Sequence, residues 1–379
     1  MSGPAGGSSD GPANGPVAGA IALLAAGLAA PAGTAAQAPA DVDPEHRPGH
    51  GCVAGRAFER HFDSGALWSG CARLDPVHGL ELAALAYRAP GDASRPVLAA
   101  LHPASILVQR AGEPVPSERL GPERRVLAES AATCAGEILA VAPRGGDVCV
   151  RRTATGLLAK YGDLRGVHGA TWWFESALPG DGGEIWQSRV GLGEDGRIDV
   201  ELALSGAVGT ELVARAAWRV AFALDTPAAD VVEELDFALG PRSRRPMRVT
   251  RLGVESFRRS APERFRAWRA LDPATGAGYL LDPAAGVAAP SGFGANWTGF
   301  ELAVTAADAA ERHAFAPPTL DGHVDGESLE GRDPVLWHAV ARTVRPSAED
   351  RPALGARALA FALTPFDWTA RSPFETLAP

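Results

Sequence analysis

Histidine is the side chain in this 379-residue chain best suited to metal or proton chemistry, yet the nine histidines form no local site. Imidazole sets for zinc or copper often occur as H-x-H or H-E-x-x-H, and neither pattern is present, nor is a cysteine–histidine cluster. The spacing therefore predicts no local metal motif. The nine are His46, His50, His61, His78, His102, His168, His313, His323 and His338.

Residues 191–196 (GLGEDG) carry the letters of a dinucleotide-binding loop, G-x-G-x-x-G. Such a loop must close a strand and open a helix, with space for phosphate. Here a strand pattern follows at once, and Glu194 and Asp195 stand where phosphate would lie. We interpret the segment as a hairpin turn.

The four cysteines, Cys52, Cys71, Cys134 and Cys149, contain no C-x₂-C pair, so disulfides are a better interpretation than a metal site. Two disulfides allow three connectivities, and spacing alone does not choose among them.

Residues 1–40 are mainly Ala, Gly, Ser and Pro, and residues 17–30 form an apolar run ahead of an A-x-A triplet at 36–38. The run is shorter than the roughly 20 residues that span a membrane, so no membrane span is expected. It resembles a signal-peptide core and predicts export, although its preceding region has no Lys or Arg. The alternative is a disordered Ala/Gly extension. We expect one domain over residues 50–379.

After residue 50 short apolar segments alternate with turn residues, as at 80–87 and 96–101. Residues 198–204 alternate apolar and polar side chains, as a half-buried strand does, and the aromatic run 172–174 is best interpreted as a buried strand. The best helix candidate is 120–132. The fold class predicted is all-β, a large antiparallel β-sandwich.

The net charge is −9 and the pI is near 5.5, which disfavours a general affinity for nucleic acid or an anionic membrane. Residues 242–269 nevertheless carry ten arginines. They could meet an anionic polymer or a partner, or they could be solvated strand faces.

The last 60 residues carry a recognisable motif series: DPVLWHAV at 333–340, RPSAEDRP at 345–352 and FALTPFDW at 361–368. This series resembles the copper amine oxidase pattern D-I-V-x-W-[HY]…H-I-P-R-x-E-D-W-P…G-F-x-L-x-P-x-N-F-F. Residues 266–283, 301–312 and 133–160 resemble further motifs of that family. The resemblance spans about residues 65–379, and it implies the family's catalytic β-sandwich, a homodimer and a Cys134–Cys149 disulfide, with Cys52 and Cys71 left for a second pair.

This sequence differs from the family pattern at the positions that form the family's reactive centre. The family's topaquinone is made from a tyrosine about a dozen residues before a Y-Q-D-G turn, and anchoring that turn at 193–196 puts Glu184 in its place. A carboxylate has no phenol ring to oxidise. The family's catalytic base, an aspartate, falls on Arg110 in one register and on Val115 in another, and neither is a suitable base.

The family's copper ligands are an H-Q-H pair and a third, distant histidine. Matching the following R-L-D to residues 223–225 places the pair on Ala216 and Trp218, and the third falls on Val344. None of these can bind copper. The family's outer calcium site is half retained, since Asp225 and Asp333 match and Pro227 replaces an acid.

We therefore expect neither copper nor topaquinone, and our leading hypothesis is a non-oxidase relative, a pseudoenzyme that binds a small-molecule ligand. A second hypothesis is a cofactor-free acid–base enzyme using Glu184, whose burial could raise its pKa. An enclosed Glu184 with a polar partner favours catalysis, and an open loop favours binding. A third is an amine oxidase with relocated ligands.

Overall fold

The computed structural model describes residues 52, 55–75, 78–120, 134–141, 147–160, 166–179, 184–205, 210–226, 229–237, 246, 248–259, 261–283, 300–308, 311, 320, 322–344 and 359–367. The export segment 1–40 lies outside the described residues, as does the helix candidate at 120–132 except for Leu120.

Nineteen strands make up most of this part of the chain, and every pairing among them is antiparallel. In chain order they are β1 (Arg56–His61), β2 (Leu67–Asp75), β3 (Gly79–Arg88), β4 (Arg95–Arg110), β5 (Ser117–Glu118), β6 (Glu137–Ala140), β7 (Asp147–Lys160), β8 (Gly166–Pro179), β9 (Ile185–Gly193), β10 (Ile198–Ser205), β11 (Leu212–Phe222), β12 (Val231–Asp236), β13 (Arg248–Arg251), β14 (Ser256–Arg258), β15 (Ala267–Leu271), β16 (Gly278–Pro283), β17 (Leu302–Ala306), β18 (Pro334–Val344) and β19 (Leu359–Phe366).

The strands form two large sheets. The first sheet has the order β1-β2-β3-β4-β11-β18-β17-β14, with β5 paired to β4. The second sheet has the order β13-β12-β15-β16-β19-β10-β9-β8-β7-β6. The predicted all-β antiparallel sandwich is confirmed.

A continuous hydrophobic core joins side chains from the inner faces of both sheets. In the second sheet one row across four strands, Phe174, Val190, Val200 and Phe361, is buried throughout. The predicted strand at 198–204 is confirmed as β10, in which Asp199 and Glu201 alternate with buried apolar residues. In the aromatic run, Phe174 is buried as expected, whereas Trp172 and Trp173 are only half-buried.

Strand β11 lies between β4 and β18 and is buried along its whole length. One face contributes Ala216 and Trp218 to the core, and the other lies under a second apolar cluster that includes Ala221 and Trp337. Because both faces of β11 are covered, buried and exposed side chains do not alternate along it as they do in a surface strand.

Two disulfides join Cys134 to Cys149 and Cys52 to Cys71. The Cys134–Cys149 pairing that the resemblance implied is confirmed, and the remaining two cysteines form the second pair.

Candidate functional site

The structure brings together Arg110 and Glu184, which two different sequence motifs had each assigned to the reactive centre. Glu184 lies directly before β9 of the second sheet and is 3% exposed. Arg110 ends β4 of the first sheet, and its Nη2 donates a hydrogen bond to Oε1 of Glu184. This ion pair therefore connects the two sheets at the positions expected for the quinone precursor and the catalytic base. Val115, the base position in the other register, is 67% exposed.

A second acid lies beside Arg110. The Glu113 carboxylate accepts the Arg110 backbone N–H at 3.0 Å, while its other oxygen is 3.9 Å from Nη1 of Arg110. The Gln109 side chain donates to the Glu113 carbonyl at 2.9 Å and supports this turn after β4. Arg110 is thus tightly paired with buried Glu184 and loosely paired with Glu113, which is 40% exposed.

The three positions assigned to copper all lie on the inner face of the first sheet. Val344 and Arg110 are both opposite Leu212, so they share one row across β18, β11 and β4. Ala216 is four residues further along β11, about 13 Å at the usual rise of a strand. Ala216, Trp218 and Val344 are all almost completely buried in the core.

One imidazole faces the same interior. His338 is opposite Trp218, is 1% exposed and packs edge-on against Phe361 with ring centroids 4.6 Å apart. Burial, aided by the positive charge of Arg215, lowers the pKa of His338 to about 3, so the ring is neutral. Copper in amine oxidases needs three imidazoles. Among the described residues of β18 that face Ala216, Trp218 and Val344, His338 is the one imidazole, and it lies among apolar side chains. These residues do not fit the metal, nor does Glu184 fit the phenol precursor of the quinone.

The hairpin turn at Gly193–Gly196, called here the buried turn, is enclosed rather than exposed. Indole Nε1 of Trp68 donates to the Gly193 carbonyl at 2.8 Å, and the Tyr87 hydroxyl donates to the Glu194 carbonyl at 2.8 Å. The Tyr279 hydroxyl donates to the Gly196 carbonyl at 3.0 Å. Sequence reasoning identified the turn but missed its three aromatic donors, which lie far away in the chain.

Tyr87 and Tyr279, the two tyrosines in the described part of the chain, both donate hydrogen bonds to this turn. Burial, followed by the charges of Asp195 and Glu194, raises the pKa of Tyr87 above its ordinary value. Complete burial raises the pKa of Tyr279 in the same way. The third tyrosine, Tyr161, lies outside the described residues.

The two positions that match the family's calcium site have protein partners. Asp225 is 3.3 Å from Nη1 of Arg95, and Asp333 accepts the Asp230 backbone N–H at 3.3 Å. Pro227 lies outside the described residues. Burial, with the nearby charges of Asp333 and Asp272, raises the pKa of Asp230 to about 8.

A different acidic cluster has carboxylate oxygens close enough together to hold a hard cation. Carboxylate oxygens of Glu255, Asp325 and Glu327 lie within 4.8 Å of one another, the one such group of three in the described part of the chain. The Glu255 oxygens already accept the backbone N–H groups of Ala306 and Asp325, and Glu327 is paired with Arg332.

Acids of strand β12 pair with four of the ten arginines of the arginine-rich segment. Arg269 pairs with Glu233, Arg258 with Glu234, Arg264 with Asp236, and Arg266 with both Glu234 and Asp236. The exposed arginines of β13 are Arg248 and Arg251. For these four arginines, the pairing favours the interpretation of strand faces stabilised by neighbouring acids.

In the described residues, no helix is long and apolar enough to cross a membrane.

Comparison with known proteins gives a fold and no more. No protein-family model matches the sequence, and no curated protein matches it. Solved structures do match: a copper-containing benzylamine oxidase from Hansenula polymorpha has a TM-score of 0.64 at 14% identity, over 85% of this chain and 62% of that one. An Aspergillus nidulans amine oxidase has a TM-score of 0.62 at 13% identity, over 90% and 57%. A Pichia pastoris lysyl oxidase has a TM-score of 0.63 at 13% identity, over 81% and 52%.

This chain thus covers between about half and 62% of the length of these amine oxidases. The similarity agrees with the copper amine oxidase resemblance in the sequence and is a similarity of fold.

Proposed function

We propose that this chain is a copper amine oxidase-like β-sandwich protein without a copper–quinone centre, and that it binds a small-molecule ligand instead of oxidising amines. The observation that carries the proposal is the Arg110–Glu184 ion pair. In the family pattern these positions would carry an aspartate that acts as base and the tyrosine from which the quinone is made. The alignment puts a guanidinium and a carboxylate there instead, and the two form an ion pair.

The copper positions support the same proposal. Ala216, Trp218 and Val344 carry no metal-binding group and pack in the core, where Trp218 lies against the Phe361 ring at 5.3 Å. A bulky indole at a ligand position fills the space that a metal and its solvent would need.

The test is elemental analysis for copper on purified protein expressed with added copper, together with a visible spectrum and an assay of hydrogen peroxide release from primary amines. We expect copper-free, colourless protein with no peroxide release. Stoichiometric copper, a quinone absorption band and amine turnover would overturn the proposal and favour an oxidase with relocated ligands.

The enclosure of Glu184 favours a second candidate, cofactor-free acid–base catalysis. Glu184 is buried and has a polar partner, as that hypothesis requires. However, the partner is a guanidinium that engages the carboxylate oxygen a base would use. Solvent-deuterium exchange into bound ligands, lost in Glu184→Gln while ligand affinity is retained, would favour this candidate over binding alone.

Export and dimerisation belong to the same proposal. Two disulfides fit an oxidising compartment, and the amine oxidase-like fold makes a homodimer a reasonable expectation. Amino-terminal sequencing of secreted protein and light scattering of the purified protein test these two points.

A further inference from the structure

Strand β13 leaves one edge of the second sheet open. It is the last strand of that sheet, and in the described part of the chain it pairs with β12 alone. Just past β13, the Leu252 N–H donates to the Val232 carbonyl at 2.9 Å. Because hydrogen-bonded and non-hydrogen-bonded pairs alternate along an antiparallel ladder, the backbone N–H and C=O groups of Val249 and Arg251 are directed away from β12. These groups are placed to pair with one further strand.

The arginines of β13 are left without acidic partners. Arg251 is opposite Glu233 on β12, and Arg248 is opposite Asp236. Both of these acids are hydrogen-bonded to arginines at the β15 side of the sheet instead. Arg248 and Arg251 are both exposed, and neither guanidinium has an acidic partner among the described residues.

The surface around this edge has a surplus of positive charge. Seven described arginines meet four acids around β12 and β13, which leaves three positive charges without a counterpart. The arginines are Arg248, Arg251, Arg258, Arg259, Arg264, Arg266 and Arg269, and the acids are Glu233, Glu234, Asp236 and Glu263. In the sequence, residues 238–247 ahead of β13 add three more arginines and no acid. The next acids lie beyond the carboxyl end of β13, in the cluster of Glu255, Asp325 and Glu327.

We propose that the open edge of β13 binds an acidic, extended segment of another polypeptide, which adds one antiparallel strand to the second sheet. Strand β12 shows the order of side chains that β13 accepts, namely an acid opposite Arg251, Leu235 opposite Val249 and an acid opposite Arg248. A strand of the same order on the open edge would place acids against both exposed guanidiniums. It would also cover Val249, which is 46% exposed.

The same arginines set the specificity of the edge. Arginines on an edge strand repel the same edge of a second copy, whereas an acidic strand is attracted, so the charge selects a different partner over self-association. The inference does not depend on the proposed function.

The experiment measures fluorescence polarisation of a labelled peptide with the core Glu-Glu-Leu-Asp, the order found in β12, added to the full-length protein at low salt. We expect a Kd of about 0.1 mM. A peptide with lysines in place of the three acids should bind at least tenfold more weakly. A third peptide keeps the acids but is N-methylated at the first Glu and at the Leu, the residues that would pair with Arg251 and Val249. It should also bind at least tenfold more weakly, because it cannot donate the backbone hydrogen bonds of a strand.

A matched pair of variants locates the site on β13. Arg251→Gln should weaken binding of the acidic peptide about fivefold. The control is Arg56→Gln, since Arg56 is also exposed, also lies on an edge strand, β1 of the first sheet, and has no acidic partner among the described residues. This control should leave the affinity unchanged. Both substitutions are at exposed side chains, so both variants are expected to fold.

Equal binding of the N-methylated peptide would indicate attraction by charge alone, as for any polyanion, and would overturn strand addition. Equal binding of the lysine peptide, no binding of the acidic peptide at about 1 mM, or the same effect from Arg251→Gln and Arg56→Gln would each overturn the inference as well. None of these results depends on copper content or peroxide release, which test the proposed function separately.

Discussion

The buried turn and the Arg110–Glu184 pair lie at opposite ends of β9, and they satisfy their polar groups in different ways. At the turn, three backbone carbonyls accept hydrogen bonds from neutral aromatic donors whose rings also fill the core. At the other end, a buried carboxylate is balanced by a guanidinium. In the alignment proposed from the sequence, the turn matches a family turn motif and the ion pair falls at the positions assigned to the reactive centre. The difference teaches that one strand can be fixed to the opposite sheet by neutral hydrogen bonds at one end and by an ion pair at the other.

Removing a donor of the buried turn is the most direct test of how much the aromatic hydrogen bonds stabilise that end of β9. Trp68→Ala deletes a completely buried ring and its hydrogen bond to Gly193, and it is expected to lower the free energy of unfolding by about 3–5 kcal/mol. Trp68→Phe, which keeps a ring, should cost clearly less. Urea denaturation measures both, and an alanine variant as stable as the parent would show that the turn does not depend on this contact.

At the other end of β9, Arg110→Met leaves the Glu184 carboxylate buried without its guanidinium. We expect a loss of about 3 kcal/mol in the free energy of unfolding, because removing one partner of a buried ion pair is costly. The double variant Arg110→Met/Glu184→Leu should recover most of that loss. A double-mutant cycle by urea denaturation measures the coupling, and independent effects of the two substitutions would contradict a direct ion pair.

Alkaline pH should weaken the turn end selectively. The folded-state pKa values of Tyr87 and Tyr279 are raised above the unfolded value of about 10, so above pH 10 the unfolded chain releases protons that the folded chain retains. Stability is therefore lost as pH rises, by about 2–3 kcal/mol at pH 11 for two such groups.

The double variant Tyr87→Phe/Tyr279→Phe should lack this part of the pH dependence. Thermal unfolding between pH 8 and pH 11 tests it by difference from the parent. Parallel pH curves for the two proteins would be evidence against buried, protonated phenols.

The smallest effect is expected from removing one hydroxyl at neutral pH. Tyr279→Phe leaves the buried Gly196 carbonyl without its donor and should cost about 1–1.5 kcal/mol in the free energy of unfolding. Ser256→Ala, which removes an exposed hydroxyl bonded to the Val254 carbonyl, is the control and should stay within about 0.5 kcal/mol. Equal losses in the free energy of unfolding for Tyr279→Phe and Ser256→Ala, measured by chemical denaturation, would mean that burying the turn does not strengthen its hydrogen bonds.

Local sequence patterns predicted the strands well and their partners poorly. The period-two alternation of 198–204 and the turn residues before it located β10 and the hairpin, because both signals lie within a few neighbouring residues. Residues 96–101 predicted only part of β4, which runs over 16 residues to Arg110. The later section of β4 is buried on both faces, so apolar and polar residues do not alternate there and the sequence shows no strand periodicity.

The site required long-range information that spacing does not contain. Arg110 and Glu184 are separated by 74 residues, and Trp68 and the turn carbonyl it binds by 125. The family resemblance placed Arg110 and Glu184 at one centre, but their pairing depends on how the two sheets stack. His338 was one of nine histidines without a local motif, and its place opposite Trp218 follows from the register of β11 and β18.

Strand β9 also has a mechanical consequence for the whole sandwich. Its carboxyl end is tied to β2 and β3 through the buried turn, and its amino end is tied to β4 through Glu184. A strand anchored at both ends to the opposite sheet prevents the two sheets from moving apart at either end of that strand. Along β9 the spacing of the two sheets is therefore fixed at both ends.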